Sequence, residues 1–472
     1  MRAVGEIVGK LASLVVFAVL ARKVGAAQLG VYVFAMVWGE VVMVPVGLGI
    51  DRYLLRSIAA DHARLDDFFY NAFFLKVPRG LAIIALTAGA VLVLGFDAER
   101  QAAVCLMTAG MFAETLSRTP ATAFNAFERG ELLATAIVTQ RVTAAGFALL
   151  ALVLGYGVVA VSLAFLVGAL ARLVLSMWLL WRRVRRPALV LPPAPRRELR
   201  SRSLPFTAQD LFGLVVARAD VLLLSALAAS AVVGVYGAGY RLLESTYFIG
   251  DSLFAAFGAM YTYLGSDTSP TIRSLFERSI KLCLVTLVPL AVTFGMLAEP
   301  LSRAFFGNGL AAAAAPLRLL APVVVMMGAT GLTTGLITAR LNPRKLLFVV
   351  AGAAVVNLVF NLVLIPPLGA TGAALAMLLS AAAFFFPTLI ISVRAVGGVN
   401  WLSMLAAPVA GGLAMAAVLA IVSTPLPLAV GAGSLVYVGA YAALERAVSP
   451  ADLAFAIAAL RGRLPGRGSA PA

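Results

Sequence analysis

The chain has 472 residues, is 62% hydrophobic and only 12% charged, and carries 37 Lys and Arg against 21 Asp and Glu. Its mean hydropathy is +1.00. Soluble domains run about 45–50% apolar and about 25% charged, which excludes a water-soluble globule, a disordered chain and a disulfide scaffold, and leaves a polytopic membrane protein.

A helix rises 1.5 Å per residue, so about 20 apolar residues cross the hydrocarbon. About fourteen such runs are predicted. The first six lie at 4–21, 31–50, 70–95, 102–118, 134–154 and 158–181. The next six lie at 204–225, 233–262, 280–298, 316–339, 346–365 and 371–392, and the last two at 402–423 and 430–447. The runs do not alternate as barrel strands do. The first, flanked by Arg2 and Lys10, lacks the small-residue cleavage site of a signal peptide. Two stretches mix apolar and charged residues, 52–69 and 452–464, and are predicted to lie along the membrane surface. Pro45, Pro289, Pro322, Pro387 and Pro408 fall inside spans and permit kinks there.

Positive charge sets orientation. With the N-terminus in the cytoplasm, 28 of the Lys and Arg fall in cytoplasmic segments, 5 on the opposite side and 4 within spans. A missed span would swap every later loop, so the split supports both orientation and count. It also explains the net charge of +16 without a nucleic-acid partner. The C-terminus is then cytoplasmic too.

Several chemistries are excluded. Cys105 and Cys283 sit in apolar runs, and His62 is the one histidine, so neither a His/Cys metal site nor a His-dependent triad is expected. No GxxxxGK[ST] loop occurs, so an ATP motor is not expected. No cofactor is implied. The outer loops are short, which argues against a membrane enzyme of glycan assembly.

The longest polar break reads RRVRRPALVLPPAPRRELRSR at 182–202, with eight arginines and four prolines. It reads as a cytoplasmic linker that pins topology, with anionic-lipid contact as the sharper alternative. The prolines are expected to forbid a continuous helix. The expected organisation is an N-lobe at 1–181, a linker at 182–203, a C-lobe at 204–392, an accessory pair at 393–447 and a basic tail at 448–472.

The two lobes repeat. In VGAAQLGVYVFAMVWGE at 24–40 and AASAVVGVYGAGYRLLE at 228–244, the Gly-Val-Tyr triplets align and Glu40 falls on Glu244. Six spans precede the linker and six follow it, so the lobes insert in the same orientation. Transporters use such parallel repeats to place a site between lobes.

These pieces, with GLGIDRYLLR after the second span, NAFERGE at 125–131, RADVLLLSALAASAVVGVYGAGYRLLE at 218–244, FFGNGLAAAAAPLRLLAP at 305–322 and NLVFNLVLIPPLGATGAALA at 357–376, span most of the chain. Their order and spacing resemble the polysaccharide-exporter, or O-antigen flippase, branch of the multidrug/oligosaccharidyl-lipid/polysaccharide transporter superfamily. The resemblance implies an all-helical, two-lobed bundle in the bacterial cytoplasmic membrane. It would flip a polyprenyl-diphosphate-linked sugar by alternating access, coupled to a proton, sodium or the membrane potential. Membrane lipids and other polysaccharide-assembly proteins would be its partners. A small-molecule or multidrug exporter of the same superfamily is the same-class alternative.

Charges within spans narrow the site. A centrally placed Arg costs about 2.5–3.5 kcal/mol on insertion scales, so it should face a cavity or a partner. Arg218 and Arg241 sit about seven and eight residues from the outer ends of their spans, at a common depth of roughly 10–12 Å. Arg22 marks the outer end of span one. Arg22, Arg218 and Arg241 are the candidate cationic lining for a diphosphate, which arginine clamps with directed hydrogen bonds. Arg52 at the cytoplasmic end of span two joins the candidate substrate-binding set. The plainer alternative pairs Arg241 with Glu244 at i,i+3.

Glu40 is the candidate coupling carboxylate. Asp220, Glu244 and Asp251 are further cavity carboxylates, with Glu114 and Asp210 behind them. Arg241, Glu244, Phe248 and Asp251 form a predicted stripe on one long eighth helix. Arg141 is expected to snorkel to the cytoplasmic face, and Arg172 to serve either as a structural pair or as lobe lining. Arg129, flanked by Glu128 and Glu131, is expected to be a solvated loop pair.

Overall fold

The computed structural model describes residues 2–47, 49–264, 270–341, 343–421 and 425–448, and every regular element in them is helical. The first half of the chain holds α1 (Arg2–Gly47), α2 (Ile50–Ala60), α3 (Arg64–Val93), α4 (Ala98–Ala126), α5 (Gly130–Val153) and α6 (Val158–Leu179). Then come α7 (Pro193–Leu227), α8 (Ser230–Glu244), α9 (Tyr247–Leu264), α10 (Pro270–Met296), α11 (Ala298–Phe306), α12 (Ala314–Arg340), α13 (Pro343–Leu368) and α14 (Ala370–Ala395). α15 (Trp401–Ile421) and α16 (Leu426–Val448) close the described chain and pack on each other and on α10. Among the described residues ten helical segments are long and apolar enough to cross a membrane. Their outward faces carry exposed residues such as Leu86, Val93, Val153 and Leu435, as lipid contact requires. The surface stretch expected at 452–464 lies outside the described residues.

α1 contains both of the first two predicted spans. Gly25 interrupts it at φ 74° and ψ −178°, a backbone setting that glycine alone takes readily. The rings of Phe17 and Tyr32 lie 6.2 Å apart, whereas fifteen residues of straight helix would separate them by about 22 Å. The chain therefore folds back at Gly25.

The eighth predicted span is corrected. It breaks at Ser245 and Thr246 into α8 and α9. Both hydroxyls bond back three residues, Ser245 to the Leu242 carbonyl at 2.6 Å and Thr246 to the Leu243 carbonyl at 2.7 Å. Such bonds compete with the helical ladder. The single charged stripe through Asp251 is thereby cut. The linker is corrected too: α7 begins at Pro193, inside it. Pro193 and Pro195 occupy the first turn, where no intrahelical N–H bond is lost.

The repeat has a physical counterpart at the α1–α8 crossing. A Cβ on Gly30 would lie 1.8 Å from the Ser230 carbonyl oxygen, and one on Gly234 2.0 Å from that of Ala26. Ala26 and Gly30 align with Ser230 and Gly234 in the repeat, so the contact is reciprocal, as across a two-fold axis. Helices in lipid gain little from hydrophobicity when they meet, and small residues let the backbones touch.

Candidate functional site

A cavity of about 480 Å³ opens between α1, α4, α5, α6, α7 and α8. Its wall holds Tyr32, Glu40, Glu114, Arg118, Arg141, Arg241 and Glu244, with Asp51 and Arg52 toward the end of α1. Three groups of charge meet there.

The first joins the two halves. Arg218 on α7 holds Glu40 of α1 at 2.6 Å and Glu244 of α8 at 3.0 Å. Arg241 holds the other oxygen of Glu244 at 2.7 Å and donates to the Ser13 hydroxyl. The guanidinium of Arg218 lies 5.6 Å from the Tyr240 ring centre, and that of Arg241 5.4 Å from that of Phe17, within cation–π reach. The two repeat-related glutamates thus share one arginine. Arg218 and Arg241 are not the bare cationic lining expected of them; Glu40 and Glu244 balance them.

The second group lies on α4, α5 and α6. Gln140 donates to Glu114 at 3.0 Å and accepts from Arg172 at 2.9 Å, and Arg118 approaches Glu114 at 3.8 Å. Arg172 is thereby a buried structural partner of Gln140. The third group holds Lys76, fully buried, which donates to Asp51 at 2.5 Å and to the Thr119 hydroxyl at 2.9 Å.

Arg141 faces the second group, acting on Glu114 and Arg172 without touching them. It lines the cavity, and among the described residues it has no hydrogen-bond or ion-pair partner. Ala144, Ala145 and Ala148 of the same helix line the cavity with it. That pattern, an arginine followed by alanines at i+3, i+4 and i+7 on one helix face, was a readable sign of a cavity wall.

Other expected residues go elsewhere. Arg22 is exposed and donates to the carbonyls of Phe305, at 3.0 Å, and Ala304. These are last-turn carbonyls of α11, without intrahelical partners, so Arg22 caps that helix instead of lining the cavity. Asp220 is buried and accepts from the Tyr236 hydroxyl and, at 2.8 Å, from the Val221 amide, tying α7 to α8 behind the wall. Asp251 lies on α9 beside a separate cavity of about 210 Å³ lined by Tyr247, Phe254, Met327 and Thr334. Arg129 pairs with Glu131 at 2.6 Å, both exposed. The side chain of Asp210 lies outside the described residues. Among the described residues no group of three His, Cys, Asp or Glu is placed to hold a metal.

A sequence profile described as "Polysaccharide biosynthesis protein" matches residues 2–249, more than half of the chain. The chain belongs to this family. No curated protein matches its sequence at a significant level. Solved structures match its fold. A lipid II flippase MurJ, in an inward closed conformation, superposes with a TM-score of 0.74 at 12% identity, over 94% of this chain and 98% of that one. An inward-facing multidrug resistance MATE family transporter of the MOP superfamily gives 0.66 at 14% identity, over 84% and 99%. A MOP superfamily transporter from Pyrococcus furiosus, described by the reverse polarity of its binding pocket, gives 0.61 at 15% identity, over 84% and 94%. The likeness to these structures is one of fold.

Proposed function

We propose that the protein flips an isoprenoid-lipid-linked oligosaccharide across the bacterial cytoplasmic membrane by alternating access, for cell-surface polysaccharide assembly. The observation that carries this reading is Arg141, a cation on the cavity wall that among the described residues makes no hydrogen bond or ion pair. The wall itself is balanced, Arg52, Arg118, Arg141 and Arg241 against Glu40, Asp51, Glu114 and Glu244; behind it Arg172, Arg218 and Lys76 stand against Asp220, which leaves the cations in excess. A diphosphate headgroup supplies the missing negative charge.

The proposed architecture has fourteen spans. The folded-back α1 counts as two, and α4, α7 and the α8–α9 pair join the nine other candidate segments. The lobes are residues 1–181 and 204–392, with α15 and α16 as the accessory pair, and both termini face the cytoplasm. The Glu40–Arg218–Glu244 bridge then crosses between lobes. Parting the lobes breaks it, and a buried charge stripped of its partner costs about 3–5 kcal/mol. Two events relieve that cost: an incoming diphosphate takes over Arg218 and Arg241, or Glu40 takes up a proton.

The test places purified protein in liposomes with a fluorescent polyprenyl-diphosphate sugar and follows its accessibility to an external quencher. Protein-dependent movement, lost in Arg141→Ala, is expected. Movement that survives Arg141→Ala removes Arg141 from the site. No movement with several sugars and imposed ion gradients overturns the flippase and favours a small-molecule exporter.

A further inference from the structure

We propose that the seam between α3 and the linker end of α7 binds the headgroup phosphate of an anionic phospholipid, at a site separate from the transport cavity. Arg196 stacks on Phe74 at 3.9 Å, and Phe74 is 49% exposed on the outer face of α3. The donors of Arg196 reach only neutral acceptors, the Asn71 side-chain oxygen and the Leu191 carbonyl, both at 3.1 Å. Arg79, along the same helix, is half-buried and among the described residues has no hydrogen-bond or ion-pair partner. The charged side chain that acts on it is Arg200 of α7, of the same sign. Among the described residues neither Arg79 nor Arg196 has a carboxylate partner, and Glu198, between Arg196 and Arg200 on α7, is engaged by Tyr53 and Arg64.

The preceding segment identifies the surroundings. Leu189, Val190 and Leu191 are exposed at 77%, 46% and 41%, in a stretch flanked on both sides by arginines. Three exposed aliphatic side chains in a row are unfavourable in water and favourable in the interfacial layer of a bilayer. The segment does not swing free, because the Ala188 amide donates to Asp66 at 2.9 Å and Arg185 pairs with the same carboxylate. Aliphatic groups for acyl chains thus sit beside guanidinium groups for a phosphate, which they bind through directed hydrogen bonds. A phospholipid supplies both.

The test uses the full-length protein in detergent, titrated with phosphatidylglycerol, phosphatidylcholine or inorganic phosphate and read by native mass spectrometry. Phosphatidylglycerol should bind in preference to phosphatidylcholine. Arg79→Gln/Arg196→Gln should weaken it about thirtyfold, as for two arginines at a membrane surface. Arg182→Gln/Arg183→Gln, exposed on the same linker, should weaken it less than about threefold. Arg79→Lys/Arg196→Lys keeps the charge and serves as the folding control, with binding largely retained. Equal losses in the two Gln pairs would mean diffuse attraction, and an unchanged affinity in the first pair would mean no site; either overturns the proposal. Full displacement of the lipid by millimolar inorganic phosphate would make it a free-phosphate site and overturn it as well.

Discussion

Glu40 and Glu244 hold equivalent places in the repeat, yet α1 runs on past Glu40 to Gly47 while α8 ends at Glu244. The next two residues account for the difference. They are Val41 and Val42 in the first half, and Ser245 and Thr246 in the second. Valine offers the backbone no competing hydrogen bond, whereas both hydroxyls take one. The basic partners are equally one-sided. Arg218 and Arg241 align with Leu14 and Val37, so the second half supplies the arginines that both glutamates share. The cavities follow the same division. The larger one is walled by charges of the first half and by Arg241 and Glu244, whereas the smaller one on α9, α10 and α12 is mainly apolar. The two repeats share the crossing and the glutamates, whereas the arginines stand on the second alone.

The sharpest way to break this comparison is to remove the shared arginine. Among the described residues Glu40 has no ion-pair partner other than Arg218, whereas Glu244 keeps Arg241. Arg218→Ala should therefore destabilise the protein by about 3–5 kcal/mol, measured as the loss of unfolding midpoint in detergent. Glu40→Gln/Arg218→Gln should recover most of that loss, and Glu244→Gln with Arg218→Ala should recover little. Equal rescue by both would mean that the two glutamates are interchangeable, against the asymmetry argued above.

Next in size is the shared crossing. Gly30→Ala and Gly234→Ala each drive a methyl group into a carbonyl of the other helix. Each should cost about 1–3 kcal/mol, with similar values because the contact is reciprocal. Gly146→Ala, where no atom lies within 4 Å, should be neutral or slightly stabilising. Very different costs at Gly30 and Gly234 would show that the crossing is not symmetric.

The equivalence of Glu40 and Glu244 was legible in the sequence because repetition is visible in one dimension. Most of the long apolar helices were legible because the bilayer sets apolar length. The pairing of Arg218 with Glu40 was not, since the two are 178 positions apart and the packing of α7 on α1 brings them together. Arg22 was misread for a related reason. Its place at the end of span one suggested the cavity, but α11 brings its own carbonyls to that point. Arg141 was judged by its distance along one helix from the cytoplasmic end, and that distance does not reveal the cavity that it lines with neighbouring alanines.

The smallest expected effect lies at the linker between the halves. Glu198 on α7 accepts from the Tyr53 hydroxyl of α2 and pairs with Arg64 of α3 at 3.0 Å. The Tyr53 hydrogen bond and, against a modest desolvation, the Arg64 guanidinium hold the Glu198 carboxyl below its ordinary range. A depressed carboxylate contributes stability above its unfolded value and loses it as pH falls through the folded value. The group is about one-third exposed, so its worth is about 1 kcal/mol or less. Glu198→Gln should lower the unfolding midpoint slightly near neutral pH, and the gap to the wild type should close as pH falls below the usual carboxylate range. A gap that persists in acid would assign the effect to lost packing of α7 on α2 and α3, and the tie between halves would then rest on shape rather than on charge.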